Sequence, residues 1–121
     1  MTMPQQRSAG IFLRASRDIE AVKRHGRRCS TNLFNLLVYK TDEGICRVGI
    51  IVGRRFGNAV RRNRAKRVFR ELVRASHDQL SPGQDLLIFP KREALLQSHA
   101  ERSLLWLDTL RRVRALRSKS G

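Results

Sequence analysis

Apolar residues fall into two rhythms along the 121-residue chain, and each predicts a different element. Leu33 to Lys40 reads Leu-Phe-Asn-Leu-Leu-Val-Tyr-Lys, and Cys46 to Val52 carries Val48, Ile50 and Val52 in alternation. Both read as strands, and the Thr41-Asp42-Glu43-Gly44 turn chemistry between them predicts a hairpin. Leu86-Leu87-Ile88-Phe89, unbroken before Pro90, fits a central strand buried on both faces better than an edge. Three other segments repeat at helical spacing. The first runs over about Arg17 to His25, with Ser16 as cap, Asp18 and Glu20 in the first turn, and a stop at Gly26. Its narrow stripe of Ile19 and Val22, with Ala15 and Ala21, needs a sheet to pack on. The second spans about Asn58 to Ser76 and is closed off by Ser81-Pro82-Gly83. The third opens with Ser98 and Glu101 at capping-box spacing and repeats Leu104, Leu107 and Leu110, with Leu105 and Val113 beside them. Trp106, between Leu104 and Leu107, reads as core or core edge rather than as a base-stacking platform.

The order α-β-β-α-β-α, with room for one extra short strand, predicts an α+β fold. We expect a single-domain two-layer sandwich in which helices cover one face of a small sheet. A chain of this length holds one core and no second unit. The domain is expected over 1–121, with an ordered core over about 11–116 and flexible tails at 1–10 and 117–121.

Composition narrows the partner. With 40% hydrophobic residues the chain can offset its folding entropy, so it is no disordered basic tail. Its net charge of +16 is carried by 21 arginines and 5 lysines, and arginine's planar fork suits phosphate oxygens and flat bases. Met1 to Gln6 are polar and no apolar run approaches the roughly 20 residues of a spanning helix, so a cytoplasmic protein with no membrane partner is expected. Cys29 and Cys46 form no Cys-x-x-Cys pair, and His25, His77 and His99 have no metal-ligand spacing. Reduced thiols and no metal site are expected. The acids are scattered, Asp42-Glu43 sits in a turn, and no histidine has a partner for acid–base work, so no catalytic residue is assigned.

The charge is concentrated. Arg54 to Arg74 holds eight arginines and Lys66 against Glu71 alone, half of the whole net charge. At helical spacing Ala65, Val68, Phe69, Leu72 and Val73 share one side, while Asn63, Lys66, Arg67, Arg70 and Arg74 share the other. Solvated helix faces normally interleave both signs. A row of like charges at i, i+3 and i+4 instead calls for a compensating anion, and phosphates supply it. Gly57, after Arg54 and Arg55, is equally a plain turn residue and a place where backbone approaches a phosphate.

These residues resemble the signature of the bacterial ribonuclease P protein subunit. The likeness rests on Arg47-Val48-Gly49-Ile50-Ile51-Val52, on Gly57-Asn58-Ala59-Val60, and on Arg61-Arg62-Asn63-Arg64-Ala65-Lys66-Arg67 with Arg70-Glu71. Asp18 to Val22 with His25-Gly26, Asp85 to Phe89, and the length of the last helix extend it over about Leu13 to Arg112. It implies a split β-α-β unit with a left-handed crossover, against the usual hand. It also implies that an RNA subunit performs a metal-assisted hydrolysis, removing the 5′ leader of precursor tRNA. Mg2+ would then be held mainly by that RNA and the substrate. The partners implied are ribonuclease P RNA and precursor tRNA, with no obligate protein partner.

By position, Arg62, Asn63, Arg64, Lys66, Arg67 and Arg70 take the family's RNA-binding role, Arg54 and Arg55 match its basic pair, and Arg61 and Arg74 extend the same face. A cleft floored by the sheet and walled by the first helix would guide the leader past Ile19, Lys23, Asn35, Leu37 and Tyr39. Ile19 and Lys23 stand where relatives often carry aromatic rings, so less stacking is available there. Asn35, Leu37 and Tyr39 share one parity and are assigned to the cleft because the polar residues lie on it, although Tyr39 equally suits a cap on the core. A non-enzymatic RNA-binding protein, ribosomal or chaperone, has the same charge and fold class. A helix-turn-helix DNA binder would need a partner helix a short turn ahead, and none is present.

Overall fold

The computed structural model describes residues 11–117. In chain order these form α1 (Ser16–His25), β1 (Arg27–Ser30), β2 (Phe34–Lys40), β3 (Cys46–Ile50), α2 (Ala59–Ser76), β4 (Gln84–Pro90) and α3 (His99–Arg112), with short 3-10 turns at Arg54–Phe56, His77–Gln79 and Arg92–Leu96. The α+β class and element order match the sequence, and β1 is the extra strand. Both expected tails lie outside the described residues except Arg117, which is tied down. Its backbone N–H donates to Gln79 O at 2.6 Å and its Nε to Asp78 O at 3.0 Å.

The sheet order is β1-β2-β4-β3. β2 pairs antiparallel with β4, placing Leu36 opposite Ile88, and β3 pairs parallel with β4, placing Val48 opposite Leu86. The expected β2–β3 hairpin is therefore wrong. Leu86, Leu87 and Ile88 are all fully buried, which requires cover on both faces and a neighbour on both edges. β4 obtains this by inserting between β2 and β3. The Thr41 to Ile45 connection is then held by Gly83, whose carbonyl accepts from Thr41 N at 2.9 Å and whose N–H donates to Ile45 O at 3.0 Å. Gly83 makes this contact at φ +81°, where a side chain would be strained. On the outer edge of β3, Leu13 N donates to Val48 O and Val48 N to Ile11 O, closing part of an open edge.

Alternation on the inner strands separates two clusters. Leu36, Val38, Leu86 and Ile88 face α2 and α3, meeting Phe69, Leu72, Val73, Trp106 and Leu110. Phe34 stands edge-on to both Phe69 and Trp106, with centroids 5.8 and 5.7 Å apart. Trp106 Nε1 donates to Ser76 Oγ at 2.9 Å, and that hydroxyl donates on to Leu72 O at 2.9 Å, so the polar atoms of this dry contact are paired. α1 lies across the opposite face instead of joining the other helices. Its Val22 is sealed with Leu13 and Leu87, and Ile19, Leu37, Tyr39, Ile51 and Phe89 pack around them.

Two helix details differ from the sequence reading. Ser16 is not the cap of α1; Ala15 occupies that position without a side-chain bond, because Ser16 already lies in the first turn. On α3 the capping box of Ser98 and Glu101 is present, but the buried stripe is Trp106, Thr109 and Leu110, leaving Leu104 71% exposed. Seating the large indole rotates Leu104 outward. Both cysteines are free, and burial, assisted by the Asp85 charge, pushes the Cys46 thiol up to about 12. It packs as a neutral apolar group.

The seam and the exposed leucine should separate cleanly in chemical denaturation. Phe69→Ala is expected to cost about 3–5 kcal/mol by opening a cavity beside Phe34. Leu104→Ala should stay within about 0.5 kcal/mol. A large loss at Leu104 would contradict the rotation assigned to α3.

Candidate nucleic-acid interface

Phe56 is buried at the end of the 3-10 turn, and Asn58 starts α2 by accepting from Arg61 N at 2.9 Å through its side-chain oxygen. Gly57, at φ 155°, makes the turn between them, and its carbonyl accepts from Arg62 Nη1 at 2.7 Å. No acidic residue sits in the first turn of α2, so Arg61, Arg62 and Arg64 add to the positive end of the helix dipole. Ala65, Phe69, Leu72 and Val73 are buried on the sheet, which fixes where every charge points.

Arg54, Arg55, Arg61, Asn63, Arg64, Arg67, Arg70 and Arg74 are exposed, and Arg62 and Lys66 are half-buried. The charges divide over the helix. Asn63, Arg67 and Arg74 form the outward ridge; Arg61 and Arg64 lean to one flank, Lys66 and Arg70 to the other. On that second flank Lys66 and Arg70 line a groove with Phe12, Arg14 and β3, and the Arg74 guanidinium lies 5.4 Å over the Phe12 ring. Among the described residues the ion pairs are Lys23–Glu20, Arg47–Asp18, Arg47–Asp85 and Arg112–Asp108. None involves a cation between Arg54 and Arg74. Nine positive side chains, two on the 3-10 turn and seven on α2, thus form no ion pair among the described residues.

The α1 face of the sheet supplies a second surface. Arg28, Asn35, Leu37 and Phe89 line a depression of about 230 Å³. Asn35 and Phe89 also border a broader hollow that continues past Ile51, Arg55, Pro90 and Lys91. Asn35 Oδ1 is buried there without a hydrogen-bond partner. Asn35 and Leu37 therefore meet in the depression, while Ile19 and Tyr39 sit in the apolar cluster beneath α1. Lys23 lines neither hollow; its ammonium is 3.9 Å from Glu20 on the same helix. Arg28, Ile51, Phe89 and Lys91 were missed. Arg28 lies on a strand with almost no apolar signal, Phe89 and Lys91 become neighbours of Asn35 through the β2–β4 pairing, and Ile51 joins them through the parallel β3–β4 pairing. Phe89 puts an aromatic ring in the depression, and the Tyr39 ring lies 6.1 Å from that of His25.

α1 is held to this face by one ion-pair network. Arg47 on β3 donates through Nε and Nη2 to the two carboxylate oxygens of Asp85 at 3.1 and 2.9 Å, and through Nη1 to Asp18 of α1 at 3.2 Å. The hydrogen bonds and charge of Asp85 raise the Arg47 pKa further, so the guanidinium stays charged. Asp85 is only 3% exposed. Among the described residues no three His, Cys, Asp or Glu side chains gather where they could share a metal ion, and no helix is long and apolar enough to cross a membrane.

Comparison with known proteins agrees over most of the chain. The Ribonuclease P family profile matches residues 8–113. The ribonuclease P protein component of Finegoldia magna is 38% identical over 97 residues, covering 78% of this chain and 85% of that protein. That of Thermotoga maritima is 32% identical over 107 residues, covering 84% and 90%. The solved Thermotoga maritima structure superposes with a TM-score of 0.75 at 28% identity, covering 84% of this chain and 96% of that one. A Staphylococcus aureus ribonuclease P protein variant shares the fold with a TM-score of 0.80 at 18% identity over 92% of each chain.

The Arg47 network is asymmetric, and denaturation should show it. Asp85→Asn leaves a largely buried guanidinium without its bidentate partner and is expected to cost about 3 kcal/mol. Asp18→Asn removes a half-exposed partner and should cost under about 1 kcal/mol. Equal losses would mean that the pair does not anchor α1 through the sheet.

Proposed function

Since the chain belongs to the ribonuclease P protein family, we propose that α2 grips the RNA subunit while the α1 face of the sheet guides the 5′ leader of precursor tRNA. Cleavage of the leader then yields the mature tRNA 5′ end, with the chemistry performed by the RNA. The observation that carries this reading is the set of nine cations from Arg54 to Arg74 with no acidic partner among the described residues. Phosphates complete that set, releasing condensed counterions as they bind. Arg67 and Arg74 on the outward ridge, with Asn63, take folded RNA. Arg54 and Arg55 lie at the junction between the two surfaces, Arg55 lining the sheet-face hollow itself.

The hollow suits a single strand rather than a duplex. Leu37 and Phe89 offer apolar contact, Arg28 and Lys91 offer phosphate contacts, and Asn35 lines the same floor. Ile19 and Tyr39 support this floor from beneath α1, and Lys23 acts at its rim. Mg2+ is assigned to the RNA subunit and the substrate. A role on precursor tRNA supports a cytoplasmic location.

Binding at several salt concentrations tests the assignment. Arg67→Ala and Arg70→Ala should each weaken binding to ribonuclease P RNA and flatten the slope of log K against log salt by about 0.7–0.9. Leu37→Ala should instead reduce the preference for precursor over mature tRNA. An unchanged slope in both arginine variants would overturn the role of the α2 face.

A further inference from the structure

On the Arg61 and Arg64 flank of α2 lies a separate cavity of about 300 Å³, walled by Phe56, Arg61, Arg64, Arg92, Glu93 and Leu96. Three elements build it: the 3-10 turn before α2, the first turns of α2, and the Arg92–Leu96 turn. That last segment is firmly fastened. Lys91 N donates to Leu33 O at 2.9 Å, Ala94 is fully buried with its N–H on Lys91 O, and Arg102 of α3 donates through Nη1 to both Ala94 O and Gln97 O. Yet Leu96, two residues beyond Ala94, is 82% exposed. An anchored segment thus holds an apolar surface open beside three arginines. Glu93 lines the same cavity without an ion pair to any of them, and the three arginines have no other acidic partner among the described residues.

We propose that this cavity takes one unpaired nucleotide of bound RNA, with guanosine preferred. Arg61, Arg64 and Arg92 hold its phosphate, the base lies against Phe56 and Leu96, and Glu93 reads the base edge. An ionised carboxylate only accepts hydrogen bonds, so it favours a base edge that presents donors. Guanine presents N1–H and its amino group side by side, a bidentate match, whereas uracil presents one N–H between two carbonyl oxygens that would face the carboxylate. Recognition of an unstacked base on its Watson–Crick edge is the usual route to sequence preference in RNA. The inference rests on the RNA-binding reading above. Phe56, Arg92 and Glu93 also border the sheet-face hollow, so the nucleotide can come from the leader or from the RNA subunit beside α2.

Amide NMR of the full chain titrated with 5′-GMP, 5′-UMP and inorganic phosphate reads the pocket directly. GMP should shift Arg92, Glu93 and Leu96 and bind several-fold tighter than UMP, and Glu93→Gln should remove that preference. Identical shifts from all three probes, or none in Arg92–Leu96, would overturn the proposal. The surface variant Leu96→Ser, which folds because the residue is exposed, is then assayed with the RNA subunit alone and with leader-bearing precursor in the holoenzyme. A loss of about fivefold or more in one arm supports the pocket and identifies the strand that enters it. No loss in either arm overturns it while leaving the general reading intact, since wild-type binding to the RNA subunit tests that reading separately.

Discussion

A helix that its own charges oppose is held in place by one apolar seam. Arg54 to Arg74 places like charges at i, i+3 and i+4 with only Glu71 to relieve them, and repulsion of this kind disfavours the helix in isolation. Ala65, Phe69, Leu72 and Val73 reverse the balance by burial, and the edge-on contacts of Phe34 with Phe69 and Trp106 lock the seam to the sheet. Burial of a large side chain contributes about 1.5–3 kcal/mol, several times the cost of any one like-charge pair. The fold can therefore keep its cations unpaired. An external polyanion relieves their repulsion further than dissolved salt does, which links the stability of α2 to occupation of its outer face.

β4 connects this helix to the second surface. Leu86 and Ile88 pack beneath α2 and α3, while Leu87 and Phe89, on alternate positions, serve the α1 face. Asp85 lies on the same strand and pairs with Arg47, which in turn reaches Asp18 of α1. One central strand thus sets the position of both the basic helix and the sheet-face hollow. Because Arg55 and Phe56 sit where α2 begins and also border the hollow, the two surfaces meet at a fixed junction.

Much of this was legible in sequence, for definable reasons. The basic helix showed because its two faces differ in both charge and hydropathy, and α3 showed through its capping box. The central strand was legible because a four-residue apolar run before proline tolerates no exposed face. Partner choice was not legible: alternation in Cys46 to Val52 marks a strand, and turn residues at Thr41 to Gly44 mark a reversal, but neither shows that β4 lies between. β1 was hidden because Arg-Arg-Cys-Ser on an edge buries little. The parity of Asn35 and Leu37 placed them on the α1 face, whereas Phe89 and Arg28 joined them only through strand register. The side-chain direction of Lys23 was not legible either: its ammonium lies 3.9 Å from Glu20 on the same helix, outside both hollows.

In the proposed role this chain supplies cations and a single-strand floor to a catalytic RNA. That role is tested most directly by reconstitution: the purified chain, a bacterial ribonuclease P RNA and a precursor tRNA at low magnesium, scored for release of the 5′ leader. Adding the chain is expected to stimulate cleavage strongly at the mature 5′ end, and the chain alone is expected to cleave nothing. Tight RNA binding without stimulation, or cleavage by the chain without the RNA, would contradict it.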